Sequence, residues 1–574
     1  MSSILKVEQN SLVFNCVDTI FKYDTITQFN SRAVDVHTPV FTFNQCFFTR
    51  CGKPSLDFGG AILYDEILNV DIDEDILITL CTFTSCQSNN CGSFRLNIFN
   101  GLPVLKNNTY KDINCNYNLA LIFSENVQFS PIQFELQFFI GCTNHMNDGG
   151  GSGIWVNNHR ADGNVYPTNI QFSECGFYDC VSTKTGGGGF GIGESPSVQP
   201  SELNFNSCTF VNNSCLEGYG GGAIYARTAI NGRASNCVFR DNHAGAADGN
   251  ALDGGAVYVR FINNIPSFYL VSCNFTNNSV LNPNGKGHAI FGANLFAPLY
   301  VQRCNLTDNG YGVEGANSII YSDSNIQIEE SSFVFTDKSM SFSRGMTIGA
   351  SSDINLYDSK FVNCSDPTGI AGSVYYQIIS TRENRIIKID NCIFDSNTDG
   401  SSCYELYLLV HKRPYISNCT FMNDNTTSGL VMIKFDAVGD LIGFLSYVTL
   451  TYSSCINCDL HNKNVLNYID ANQDEVLLED FTFDGCVFDG CSNFGLIHYN
   501  IFILKLTDTI FRNNVNDNHL LSIDVLRVIE ILGCSFINNT IKCTDNSSAI
   551  ILVSERCVCY INHAVFQDNI NEHN

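Results

Sequence analysis

The chain has 574 residues, with 57 Asp and Glu against 31 Lys and Arg for a net charge of −26. It therefore lacks the clustered cations that bind phosphate backbones and is not read as a nucleic-acid binder. Hydrophobic residues make up 44% of it, enough for a core, but no run of about 18 apolar residues exists, the nearest being Leu441 to Leu450, so no membrane-spanning helix is read.

In chain order, the opening Met1-Ser-Ser-Ile-Leu-Lys lacks the charged and then apolar pattern of a signal segment. Residues 1–35 carry no repeated phrase and are assigned to an irregular N-terminal coil or cap. Across residues 36–574 a short phrase, Cys-x-Phe-x-x-Asn or Cys-x-Phe-x-x-Cys, returns about every 23 to 39 residues. It begins at Cys46, Cys81 and Cys175, closing on Cys51, Cys86 and Cys180. It then closes on Asn213, Asn242 and Asn278 after Cys208, Cys237 and Cys273, and recurs at Cys392 to Asn397, Cys486 to Cys491 and Cys534 to Asn539. Asn and Cys thus share one slot. Phe139, Leu306, Phe361, Phe421, Leu460, Phe511 and Phe566 fill the Phe slot of weaker copies, and a degenerate unit is expected around Cys115. The total is about sixteen units. The last copy, Phe566 to Asn569, lies so near the final residue that a fragment of a longer product is expected.

A second phrase falls within the repeat: Gly59-Gly-Ala61-Ile62, Gly221-Gly-Ala223-Ile224 and Gly254-Gly-Ala256-Val257, with degenerate forms at Gly287-His288-Ala289-Ile290 and Gly372-Ser373-Val374. Cys and Phe stand two apart, so on a strand both face one side, and the Asn three residues later falls at a turn. Short strands without helical periodicity, in a unit too small to bury its own Phe and Ile, require stacking of like on like. The expected fold is all-β, a single-stranded right-handed parallel β-helix of the pectin-lyase-like kind. Phe and Ile stack inside, Asn amides form a ladder along a turn, and Gly supplies positive φ at the corners. A β-propeller would need four strands and a Trp-Asp or kelch signature per blade, and the chain has 1 Trp.

The 27 cysteines resemble a disulfide framework, but those in the slot before Phe would stack with parallel Cβ atoms about 4.8 Å apart, beyond the roughly 3.8 Å a disulfide prefers. They are read as a ladder of reduced thiols serving as small buried groups. A bridge at the turn slot, such as Cys51 to Cys86, is the alternative for a secreted chain. Cys455-Ile-Asn-Cys458 and Cys557-Val-Cys559 lack the second pair that structural zinc needs, so no metal is assigned.

No catalytic set emerges. Polygalacturonase-like enzymes, which share the expected fold, carry Asn-Thr-Asp, Asp-Asp, Gly-His-Gly and Arg-Ile-Lys in that order. Here Asn397-Thr398-Asp399 matches the first, Asp-Asp is absent, and Gly287-His288 and Arg385-Ile-Ile-Lys388 precede it. Inverting hydrolysis needs two carboxyls, so Asp399 is read as a turn residue. Asp71, Asp73 and Asp75 would line one face of a strand, but Ile76 stands where an EF-hand needs Gly, and a solvated face is read. Gly186 to Gly191 satisfies Gly-x-Gly-x-x-Gly without a following helix and is read as a flexible loop, like Asp148 to Gly153. No cofactor is assigned.

If Ile224, Val257 and Ile290 point inward, then Tyr225, Tyr258 and Phe291 point outward as an aromatic stripe, with Tyr375 continuing it. Such rings suit a sugar or a partner's apolar patch, and equally a structural ladder under a loop. Asn-x-Ser/Thr acceptors, including Asn212, Asn274, Asn277, Asn305, Asn418, Asn425 and Asn538, are near the number chance gives in so Asn-rich a chain.

The alternation of Gly-Gly-Ala-Ile/Val (Gly221 to Ile224, Gly254 to Val257) with Phe-x-x-Asn (Phe210 to Asn213, Phe239 to Asn242, Phe275 to Asn278) resembles the repeats of chlamydial polymorphic outer-membrane proteins. It is similar also to surface proteins of trichomonads. The resemblance covers most of the chain and is densest from about 170 to 295. It implies a right-handed β-helix at a cell surface or secreted, acting in adhesion toward a host-cell or extracellular glycan or protein. A carbohydrate-active β-helix enzyme and a degenerate structural family member are the alternatives.

Overall fold

The computed structural model describes residues 3–573 apart from connecting segments, the longer of which are 8–12, 23–31, 53–59, 65–74, 125–131, 146–153, 157–168, 193–200, 247–251, 261–266, 294–298, 311–316, 378–385, 398–403, 436–446, 471–477 and 544–548. All strand pairing among the described residues is parallel and joins each coil to the next, which makes the fold a parallel β-solenoid. The chain divides into two compact units, Met1–Tyr300 with Cys304–Gly310, and Val301–Arg303 with Tyr311–Asn574.

One coil shows how the repeat is built. Ser201–Asn206 forms a first strand with Leu203 and Phe205 inward. A corner at Ser207-Cys208 leads into Thr209–Val211, which carries Phe210. A second corner at Asn212-Asn213 leads through Ser214–Cys215 to the Gly-Gly-Ala turn and Ile224–Arg227. Three long sheets, a 7-stranded sheet and a 2-stranded sheet result among the described residues.

The Phe slot builds the core. In the first unit nine rings stack in one column, Phe21, Phe48, Phe83, Tyr110, Phe139, Phe177, Phe210, Phe239 and Phe275, with neighbouring centroids 4.6 to 5.2 Å apart and planes within 10° of parallel. Leu306 caps the column in register with Phe275. In the second unit Phe333, Phe361, Phe394 and Phe421 stack, and so do Phe488, Phe511, Phe536 and Phe566. Parallel stacking at this spacing follows from the rung repeat of about 4.8 Å.

The count of units needs correction. The described residues hold ten strands of the Phe class in the first unit, from Ile20–Lys22 to Asn305–Thr307, and nine in the second, from Ser332–Val334 to Val565–Gln567. Two were missed because Thr19 and Ser331 replace the Cys before Phe21 and Phe333, and Asn108, in place of Cys before Tyr110, left a third without an assigned ring. Leu460 was misassigned: Cys455 pairs with Phe421 and Phe488 and holds that slot. The expected degenerate unit near Cys115 is the coil of Tyr110. Within residues 1–35, expected to be an irregular coil or cap, Ser3–Val7, Phe14–Val17 and Ile20–Lys22 pair in register with Arg32–Val36, Val40–Asn44 and Phe47–Thr49.

Most corners follow one chemical rule: the inward residue after the corner hands a proton to a carbonyl that the bend leaves behind, with Ile113 and Ala564 as exceptions. Cys175 Sγ–H reaches the carbonyls of Phe134 and Ser173, both at 3.4 Å. Ser331 and Thr509 do the same with hydroxyls, while the amides of Asn108 and Gln137 each reach one of the two carbonyls, Ile78 O and Glu135 O. At the second corner Asn213 Nδ2 donates to Phe177 O (3.0 Å), where in other coils Cys180 Sγ–H reaches Phe139 O (3.6 Å). Asn and Cys are interchangeable there because each offers a donor at that point. Asn adds an acceptor, so Asn213, Asn242, Asn278 and Asn309 link into a buried ladder: each Oδ1 takes the amide N–H of the preceding rung, and each Nδ2 donates to the next Oδ1. The thiols are donors as well as small buried groups, and Cys51 and Cys86 are free.

Glycine is not the usual source of positive φ at these two corners. Asn212, Asn236, Asp241, Ser272 and Asn277 lie at φ 53° to 56°. Asn and Asp tolerate the left-handed region. They also pair outside the coil, Asn212 Nδ2 donating to Asp179 Oδ1 and Asn277 Nδ2 to Asp241 Oδ1, each at 2.7 Å. Glycine is required at the third corner. Gly221, Gly254 and Gly287 have φ near 70° (72°, 67° and 70°), and a Cβ on Gly222 would stand 2.2 Å from Gly255 O. Gly187-Gly188-Gly189-Phe190 is a further copy of that corner, with Phe190 in register with Ile224, so the glycine run expected to be a loop is a packed rung.

Candidate functional site

Outward-facing columns are where a solenoid meets its surroundings. The expected aromatic column exists in the first unit: Tyr225 pairs in register with Tyr258 and Tyr258 with Phe291, their rings stacked at 5.3 and 5.0 Å. It is covered, however. Tyr225 is 1% exposed, and Tyr258 and Phe291 are each 5% exposed. The glycine corners press on the rings, an ideal Cβ at Gly186 lying 2.6 Å from Tyr225, and burial pushes the Tyr225 phenol up and that of Tyr258 to about 12. These rings are structural, and only Tyr219, stacked at 5.9 Å on Tyr225 beneath the Arg227 guanidinium, reaches solvent. Tyr375 belongs to the second unit, where it meets Tyr407 at 5.5 Å and the Arg344 guanidinium at 4.9 Å.

A different column of the first unit is open. On the sheet that precedes the Cys corner, the outward positions in successive coils are Gln133, Gln171, Asn204, Arg233 and Tyr269, aligned in register. Tyr269 is 36% exposed and stacks face to face on Tyr300, centroids 4.4 Å apart and planes 4° from parallel. Arg233 is exposed, its Nε donating to Ser235 Oγ at 2.8 Å. The column thus joins amides, a guanidinium and two rings on a flat sheet, one side chain per rung of about 4.8 Å. Amides and a guanidinium can hydrogen-bond hydroxyls or carboxylates, and rings can cover the apolar face of a sugar. The signal was in the sequence: each member lies four residues before the corner residue, from Gln137 and Cys175 to Cys273 and Cys304.

Other candidates resolve into structure. Asn397 holds a ladder position, its Nδ2 donating to Phe361 O at 3.1 Å, while Asp399, Asp71 and Asp73 and the run 148–153 lie outside the described residues. Cys455 and Cys458 are the Phe-slot and second-corner residues of one coil. His288 fills the place of Gly222 and Gly255; it is fully buried, accepts the Val280 N–H at Nδ1 (3.1 Å), and burial pulls its pKa down to about 3. The Asn-x-Ser/Thr acceptors at Asn212, Asn277, Asn418 and Asn538 sit on the outer side of the second or first corner with their amides donating to a neighbouring rung. No protein-family model and no curated protein matches this chain.

Proposed function

We propose that this chain is a non-catalytic, adhesin-like β-helix protein, displayed at a cell surface or secreted, that binds an extended glycan along the open sheet of its first unit. The observation that carries this reading is the exposed Tyr269–Tyr300 stack continuing a column of Arg233, Asn204, Gln171 and Gln133. A polymer whose repeat is close to the rung spacing meets a polar or aromatic group at every step, whereas a compact ligand would meet one or two. The likeness of the Gly-Gly-Ala and Phe-x-x-Asn phrases to polymorphic outer-membrane repeats supports display and adhesion; fold by itself supports neither.

Labelling intact source cells with an antibody raised against the native protein, with permeabilised cells as control, tests the display half of this reading. Signal without permeabilisation is expected. Signal confined to permeabilised cells would overturn it.

A further inference from the structure

One second corner of the second unit departs from the donor rule with a buried carboxyl. Where the second-corner slot holds Asn, its Nδ2 donates to the Phe-slot carbonyl of the preceding coil, as Asn397 does to Phe361 O (3.1 Å) and Asn514 to Phe488 O (3.0 Å). Asp424 fills that slot one coil after Asn397. Its Oδ1 accepts the Asn397 N–H at 3.1 Å, as an asparagine oxygen would. Its other atom is a second oxygen, which donates nothing unless protonated.

Beside it stands Glu405, one residue before Leu406, in the place that Ala223 and Ser373 hold before Ile224 and Val374. Glu405 is fully buried. Its Oε2 accepts from Ser373 Oγ at 2.5 Å and from Asn397 Nδ2 at 3.2 Å, and its Oε1 has no partner. The two carboxyls interact directly, and burial raises the Glu405 pKa against the hydrogen bonds from Asp424, Ser373 and Asn397. Among the described residues no cation pairs with Glu405. Arg344 is held by Asp366 at 2.9 Å with both side chains buried. Lys338 acts on Glu405 through space, and its attraction ranks below every hydrogen bond Glu405 makes. The facing thiols stay neutral: burial pushes up those of Cys364 and Cys455, and a hydrogen bond with Cys491 together with burial pushes up that of Cys458. Two adjacent carboxylates in such a place cannot both be ionised.

We infer that Glu405 and Asp424 share a single proton at neutral pH, Glu405 Oε1–H donating to the Asp424 carboxylate, and that this proton is a latch whose loss loosens the second unit as pH rises. The unfolded chain releases it near the ordinary Glu value of about 4.3. The folded chain keeps it, so the folding constant falls by up to tenfold per pH unit above that value, until the folded pair itself ionises.

Hydrogen exchange of the Tyr404–Val410 strand between about pH 5 and pH 8 reads the latch locally once the intrinsic pH dependence of exchange is divided out. Wild-type protection should fall across this range, and E405Q and D424N, which replace an oxygen by an amide, should flatten the fall. Infrared difference spectra of the wild type should show the carbonyl stretch of a buried protonated acid at neutral pH, absent from either variant. Parallel pH dependences in all three proteins would overturn the inference. Absence of the protonated-acid band from wild type at neutral pH would overturn it even if neither variant folds.

Discussion

Replacing Asn242 tests the corner rule at the centre of the buried ladder. Asn242 Oδ1 accepts from both the main-chain and side-chain N–H groups of Asn213 (3.0 and 2.9 Å), while Nδ2 donates to Phe210 O and Asn278 Oδ1 (both 3.0 Å). In N242A the Asn213 side chain keeps Phe177 O, and Asn278 Oδ1 keeps the N–H of residue 242. Two main-chain groups lose their partners, the Asn213 N–H and the Phe210 carbonyl. At about 1–3 kcal/mol for each buried unsatisfied group, the loss should be about 4 kcal/mol. N242C should lose only about half as much, because its thiol can reach Phe210 O as Cys180 reaches Phe139 O, leaving one group unmet. Urea unfolding of the full chain, followed by the fluorescence of Trp155 in the first unit, gives both values. The reasoning fails if N242C is no more stable than N242A, or if N242A costs less than about 1 kcal/mol.

Two further outcomes follow from the same packing. Gly222→Ala places a Cβ 2.2 Å from Gly255 O and 2.6 Å from His243 N, both main-chain atoms that cannot swing aside, so the first unit should lose about 3 kcal/mol or more in the same assay; a change under about 1 kcal/mol would show that the corner is not packed in this way. Peptide mapping after a brief pulse of alkylating reagent should label the exposed Cys559 in the native protein, and Cys175, Cys208 and Cys237 only on unfolding. Equal native labelling of Cys208 and Cys559 would remove the closed corner.

Much of the architecture was legible because stacking forces like residues onto like rungs, and the Cys-Phe-Asn phrase states three slots of a coil at once. What hid the coils of Phe21 and Phe333, and the ring slot of Tyr110, was treating Cys as the mark of the first corner. The slot selects for a donor to a corner carbonyl, and Thr19, Asn108 and Ser331 stand there as readily as a thiol. The Asn ladder was legible from Asn213, Asn242 and Asn278, but the left-handed residue just before it was not, since Asn212, Asp241 and Asn277 read as ordinary polar turn residues. At the candidate site, alternation correctly turned Tyr225, Tyr258 and Phe291 out of the core, yet it carries no information about the glycine corners that cover them. Tyr269 and Tyr300 were overlooked because their rungs hold unlike residues, Gln, Asn and Arg below and Tyr above, so no phrase repeats. Glu405 and Asp424 were hidden for the same reason, each departing from the residue its slot usually holds.

The glycan-binding claim turns on two rings. Full-length protein applied to an array of extended polysaccharides, followed by calorimetric titration of the best ligand into wild type, Y269A and Y300A, tests it most directly. Saturable binding that weakens by about tenfold or more in either variant, with unfolding midpoints unchanged, is the expected result. Retention of no polysaccharide, or affinity that neither substitution alters, would contradict the assignment of that face.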